Sequence, residues 1–327
     1  MSVPLTPEVL AIDAAAEAAR IASGLRDAVV NLRRRGVVLG ISGGVDSSVC
    51  LALAVRAFGA ERVCALMMPE TDSSEQSAVR AAEVAAQFGV TPILENIAPA
   101  LDALGCYARR DRAIRDVVPD YTEGWRSKIA IAGGRDGTFN YFKLVVQSPD
   151  GTQTEHRLPH RTYLEIVAAT NFKQRVRKIV EYHHADRLNY AVLGTPNRLE
   201  YDQGFFVKVG DGAADVKPIA HLYKRQVYAL AACLDLPEAV RNAAPTTDTY
   251  SLAQGQDEFY FALPWQAMDL ALWAANHQRP AAELAACLGL SHDRAEFVFR
   301  DIESKRRATA YLHAAARLME PVPLAFG

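Results

Sequence analysis

The sequence predicts an α/β fold, a doubly wound parallel sheet with a helical C-terminal part and an inserted hairpin region. Three observations carry this expectation. Apolar runs at 36–39, 62–68 and 91–97 alternate with helical stretches at 49–58 and 74–89. That order, at that pitch, implies parallel strands joined by right-handed crossovers. From residue 223 onward the pattern is helical, while residues 98–169 break the alternation.

The opening stretch, 7–35, reads as one long helix with Thr6 as N-cap and Pro7 in the first turn. Its apolar residues form one stripe, which implies core or subunit contact. The strand at 36–39 runs into Gly40-Ile41-Ser42-Gly43-Gly44-Val45-Asp46-Ser47-Ser48. A strand, a glycine-rich turn and a helix in that order form a phosphate cradle. The glycines allow a tight turn, and the N–H groups of the first helical turn point at an anion. Ser42, Ser47 and Ser48 add hydroxyl donors. Asp46 would repel phosphates unless a cation lay between them, so it is read as a magnesium ligand. The stretch is not a Walker A loop, because no Gly-Lys-Ser/Thr follows at the required spacing.

The strand at 62–68 leads into a polar loop at 69–74, beside the cradle at the carboxyl edge where open parallel sheets bind ligands. The 98–169 excursion holds a dense charge run at 109–116 and a glycine-rich turn at 133–137. It also holds a hairpin, with strands at 139–147 and 154–158 around Ser148-Pro149-Asp150-Gly151. The excursion reads either as surface elaboration or as a lid or dimer arm near a second substrate. A helix at 169–186 carries Lys173, Arg175 and Arg177, a run that is ordinarily a solvated face. The strand at 188–194 ends in Thr195-Pro196-Asn197-Arg198-Leu199-Glu200, where Glu200 offers a second carboxylate for the metal. Helices at 223–236, 256–276, 281–288 and 292–318 follow, with a polar loop at 245–256.

Composition sets the outer limits. Half of the 327 residues are apolar and 23% are charged, ordinary values for a globular chain. A net charge of −2 gives no basis for broad nucleic-acid or membrane binding. The five cysteines, Cys50, Cys64, Cys106, Cys233 and Cys287, have no Cys-x-x-Cys spacing, so buried free thiols in a reducing compartment are expected. With no signal peptide and no membrane-length apolar run, a cytoplasmic protein is expected.

The cradle at 40–48 resembles the phosphate loop of N-type ATP pyrophosphatases. Further residues resemble one family among them, the ammonia-dependent NAD synthetases. They are Asn171-x-Lys173-x-Arg175-x-Arg177, Gly194-Thr195 with Asn197 and Glu200, Gly204-Phe205-Phe206 with Lys208, and Gly210-Asp211-Gly212 with Asp215. Pro218, Leu222, Lys224, Val227, Pro245-Thr246, Gln256-Asp257-Glu258 and Ser304-Lys305-Arg306 continue it. The resemblance spans most of the chain apart from the first thirty-odd residues and the 98–169 excursion.

The resemblance implies a fold of the adenine nucleotide α-hydrolase-like type and one synthetase domain over 1–327, without a glutaminase domain. It implies ATP-dependent amidation of deamido-NAD by ammonia through an acyl-adenylate, giving NAD, AMP and pyrophosphate. Gly40, Ile41, Ser42, Gly43, Gly44, Val45, Asp46, Ser47, Thr195, Lys224 and Thr246 would bind ATP. Asp46 and Lys224 would be catalytic, and Asp46 with Glu200 would hold Mg2+. Arg175, Lys208, Asp215, Ser304 and Lys305 would contact deamido-NAD. A homodimer is implied, possibly served by a separate glutaminase, with no nucleic-acid or membrane partner. Pro196, Leu199 and Ser304 depart from the family pattern. Two other readings compete: an ATP pyrophosphatase acting on a different carboxylate or carbonyl, and a non-catalytic adenine-nucleotide module.

Overall fold

The computed structural model describes residues 4–132, 141–245, 249–261 and 263–323. Its centre is a four-stranded parallel sheet of β1 (Val37–Gly40), β2 (Val63–Met67), β3 (Ile93–Leu94) and β7 (Ala191–Val192), ordered β3-β2-β1-β7. β1 therefore lies inside the sheet, and its carboxyl end is flanked by those of β2 and β7. Along β1, Val37 and Leu39 pack on one face and Val38 on the other, each fully buried. Helices α1 (Ala14–Asn31), α2 (Val45–Phe58), α3 (Glu75–Gln87) and α8 (Lys224–Cys233) build the core on the first face. The second face is covered by α4 (Ala98–Ala103), α5 (Cys106–Arg115) and α6 (His160–Leu188). Two covered faces explain why these strands read as apolar runs rather than as alternation.

The predicted 7–35 helix is two elements. A 3-10 turn, Pro7–Leu10, comes first, and α1 starts afresh after Asp13. The Asp13 carboxylate accepts from the N–H groups of Ala15 and Ala16 at 3.1 and 3.0 Å. That cap starts a new helix, and Leu10 instead packs among the C-terminal helices.

Within the excursion, β4 (Arg126–Ala132), β5 (Tyr141–Gln147) and β6 (Gln153–Arg157) form an antiparallel sheet in sequence order. The β5–β6 turn is the expected hairpin, with Asp150 accepting from the Thr152 N–H at 2.9 Å and Gly151 at φ +90°. β4 was not expected, because Arg126-Ser127-Lys128 masks its apolar face. The turn at 133–137 lies outside the described residues. The sheet is not loose decoration: Ile129, Leu144 and Val146 share a core with Ile114 of α5, Ile166 of α6 and Tyr250. α6 itself begins at His160, nine residues before the expected start.

The remaining helices are α7 (Arg198–Gln203), α9 (Glu238–Arg241), α10 (Gln256–Phe259), α11 (Trp265–Asn276), α12 (Ala281–Leu288) and α13 (His292–His313). The single helix expected over 256–276 is broken, and Pro264 caps α11. A proline there cannot donate into a continuing helix. Cys50, Cys64 and Cys106 are buried free thiols, whereas Cys233 is exposed and Cys287 half-buried. Among the described residues, no helix is long and apolar enough to cross a membrane.

Candidate active site

The site grows from the carboxyl end of β1. Gly43 turns the chain with φ +74°, and a Cβ there would lie 2.3 Å from the Ser77 carbonyl oxygen of α3. Both the left-handed backbone and the contact with α3 therefore require glycine. Gly44 has an ordinary extended conformation and is the N-cap of α2. Ser42 and Ser47 face each other, their hydroxyl oxygens 3.2 Å apart. Ser47 and Ser48 both donate to the Gly44 carbonyl, at 3.1 and 2.8 Å, but only Ser47 lines the cavity; Ser48 is buried away from it, against the expectation that it donates to a ligand.

Asp46 sits in the first turn of α2 and is gripped from two other elements. Its Oδ2 is ion-paired with Nζ of Lys224, the first residue of α8. Its Oδ1 accepts from Nδ2 of Asn197 at 3.1 Å. Asn197 is also the N-cap of α7: its Oδ1 accepts from the Leu199 and Glu200 N–H groups, and Glu200 Oε2 accepts from the Asn197 N–H at 3.0 Å. This capping box orients Glu200 as well. Burial alone would push the Lys224 ammonium down, but Asp46 and Glu200 outweigh it and raise its pKa above the ordinary value. Lys224 therefore stays charged among two carboxylates. Its backbone is fixed by Asp269 of α11, whose carboxylate accepts from the N–H groups of Lys224 and Arg225 at 3.0 and 2.7 Å.

These groups open on a cavity of about 570 Å³. Gly40, Ile41, Ser42, Gly44, Val45, Asp46, Ser47, Thr195, Glu200 and Lys224 line it, as do Arg175 and Lys208. Arg175 Nε donates to the Lys208 carbonyl at 3.3 Å, while Lys208 Nζ caps the end of α13 through the Tyr311 and Ala314 carbonyls at 2.6 and 3.2 Å. Asp215, Ser304 and Lys305 are not among the lining residues. Asp215 accepts from the Val192 N–H at 2.7 Å and so fastens the end of β7. Lys305 donates to Asp301 and the Tyr260 carbonyl, at 2.5 and 2.6 Å, and Ser304 is exposed. Thr246 lies outside the described residues.

Several lining groups went unread in the sequence. Arg80 of α3 donates to the Gly43 carbonyl at 3.3 Å, which sets a guanidinium beside the cradle. A lone Arg on an amphipathic helix gave no signal of this. Lys178 and Glu181 of α6 form a buried ion pair at 2.6 Å, facing the same cavity as Asp211. Burial raises the pKa of both Glu181 and Asp211. Lys173 is a further correction: it is wholly buried, not part of a solvated helix face. Of the departures from the family pattern, Leu199 is explained by packing, since it is buried in the helical C-terminal core.

Among the described residues, Arg80, Arg175, Arg177, Lys178, Lys208 and Lys224 give the cavity six cationic groups against four acids, Asp46, Glu181, Glu200 and Asp211. A backbone cradle, serine hydroxyls and excess positive charge define a phosphate-handling α/β protein of the nucleotide-binding kind. A family model described as NAD synthase matches residues 17–120 and 141–310. The chain belongs to the NAD synthase family. It is 58% identical over 316 residues to the NH(3)-dependent NAD(+) synthetase of Rhizobium meliloti, covering 96% of this chain and 95% of that one. Among solved structures it is similar to NMN synthetase from Francisella tularensis (TM-score 0.65, 21% identity, 94% and 99% of the two chains). It is also similar to NH3-dependent NAD synthetase from Campylobacter jejuni (TM-score 0.62, 22% identity, 94% and 100%). The family match runs through 98–120 and 141–169, so of the excursion only 121–140 fall outside it.

Proposed function

We propose that the chain is a C–N ligase that converts deamido-NAD, ammonia and ATP into NAD, AMP and pyrophosphate. The observation that carries this reading is the Asp46–Lys224–Glu200 cluster at the mouth of the phosphate cradle. A carboxylate is a poor acyl donor, because oxide would have to leave. Attack of its oxygen on the α-phosphorus of ATP expels pyrophosphate and gives an acyl-adenylate. Ammonia then adds to the acyl carbon, and AMP leaves with the bridging oxygen.

Each step has a group in this chain suited to it. The N–H groups at the start of α2, with Ser42 and Ser47, suit the phosphate oxygens. Lys224 suits the charge that builds as pyrophosphate leaves, because it is held charged and preorganised. Two oxygen-bearing carboxylates beside phosphates fit a hard divalent cation, so Asp46 and Glu200 would hold Mg2+. When bound, that ion screens the repulsion between the phosphates and the attacking carboxylate. Arg175 and Lys208, which also line the cavity, suit the pyrophosphate of a dinucleotide. Asp215, Ser304 and Lys305 would serve deamido-NAD only from the second subunit of a homodimer, or after rearrangement.

The test is incubation with ATP, Mg2+, ammonium and deamido-NAD, with NAD and AMP both assayed. Equal amounts of the two are expected. ATP consumption without NAD would leave an ATP pyrophosphatase acting on another carboxylate.

A further inference from the structure

Glu200 and Lys224 reach the cradle on α7 and α8, and one guanidinium behind the cavity ties these two carriers together. Arg306 of α13 is not among the lining residues. Its Nε donates to Asp202 Oδ1 at 2.5 Å and its Nη2 to Asp202 Oδ2 at 2.9 Å, a bidentate grip on the last turn of α7. The same Nη2 donates to Asn276 Oδ1 of α11 at 2.5 Å, and Asn276 Nδ2 donates to the Tyr223 hydroxyl at 3.2 Å. Tyr223 is the N-cap of α8 and directly precedes Lys224. The other cation near Asp202 is Arg198, at 3.9 Å, beyond hydrogen-bond reach.

A helix as short as α7 needs such grips. Its six residues are too few to hold a helical shape unaided in water, and Glu200 is the third of them. Its start is fixed by the Asn197 capping box, by the Arg198 N–H donating to the Leu222 carbonyl at 2.8 Å, and by Leu199 in the C-terminal core. Its end is held by Arg306 on Asp202 and by the Tyr260 hydroxyl, which donates to the Gln203 carbonyl at 2.6 Å. Of these two, only Arg306 also reaches α8. Arg306 follows Ser304 and Lys305 in the segment that resembles a dinucleotide contact, yet its guanidinium turns to this chain's own α7.

We propose that Arg306 is a positioning residue, whose guanidinium holds α7 and the start of α8 in register so that Glu200 is presented beside the Asp46–Lys224 pair. This rests on the reading of Asp46 and Glu200 as holders of a divalent cation. Without the clamp, Glu200 is in place in only a fraction of molecules, and cation affinity falls by that fraction.

The test titrates Mn2+ into the full chain in the presence of α,β-methylene-ATP, for wild type, D202N, R306K, I302V and E200Q. The melting temperature and the analogue's affinity without metal are measured on each. D202N removes one charge of the pair, and R306K keeps the charge but loses the fork. Both should bind Mn2+ about tenfold more weakly, with metal-free analogue affinity unchanged. I302V trims a fully buried side chain of α13 and should lower the melting temperature while leaving Mn2+ affinity unchanged. Wild-type Mn2+ affinity in D202N and R306K, whatever their melting temperatures, overturns the proposal, and so does an equal loss in I302V. E200Q checks the premise: it should also bind Mn2+ at least tenfold more weakly, and wild-type affinity there overturns the cation reading on which the proposal rests.

Discussion

Asp46 is the residue on which the chemistry turns. It touches Lys224 and Asn197 through different oxygens, so three elements agree on one carboxylate position. Asp46→Asn keeps the shape and the Asn197 contact but removes the charge. Its expected effect is a fall in kcat of about a hundredfold or more, with the circular dichroism spectrum unchanged. A turnover within a few-fold of wild type would show that no essential cation or phosphate is organised there. Arg175 and Lys208 make a second, separable prediction. Either change to Ala should raise KM for deamido-NAD about tenfold to a hundredfold, and KM for ATP much less. Lys208→Ala should also cost about 1 kcal/mol of stability, because its ammonium caps α13 through two carbonyls. Varying each substrate with the other saturating separates these effects, and an equal rise for ATP would reassign both residues to the nucleotide.

At the scale of elements, α8 matters because it delivers Lys224, and it is started by a residue from another helix. Asp269 of α11 is 0% exposed and accepts both N–H groups at the start of α8. Burial outweighs these bonds and the nearby Lys224 and Arg225, and pushes its pKa up to about 7. The sign follows. A carboxyl whose folded pKa is raised contributes stability that is full below its unfolded value of about 4 and is lost as pH rises through about 7. Within that window the slope is about 1.4 kcal/mol per pH unit. Asp269→Asn should flatten the fall in stability between pH 5 and 8, read by denaturant melts across pH. An unchanged slope would mean that Asp269 stays ionised. The parallel strands and the hairpin were legible as elements because apolar runs and Pro-Asp-Gly state them locally. β4 and the true start of α6 were not, because both are settled by packing around Ile129 and Ile166 rather than by local pattern.

At the scale of the whole molecule, the sheet order brings residues from 40–47, 195–200 and 224 to one edge, and the sequence motifs already pointed there. The buried hubs were not legible. Lys173 and Asp269 are buried ionisable residues whose partners lie far along the chain, and no local spacing announces a buried charge. The segment at 249–254 likewise depends on a strand more than a hundred residues away. Ammonium should support turnover, and glutamine as sole donor should give little unless a glutaminase is added. Comparable rates from purified protein with glutamine alone would contradict this.

The proposed reaction turns on one step, in which a carboxylate oxygen of the substrate attacks the α-phosphorus and later departs with AMP. Deamido-NAD labelled with 18O in both oxygens of its nicotinate carboxyl tests it, with AMP, pyrophosphate and NAD analysed by mass spectrometry. One 18O is expected in the AMP phosphate, one retained in the NAD amide and none in pyrophosphate. Unlabelled AMP, or label in pyrophosphate, would contradict it.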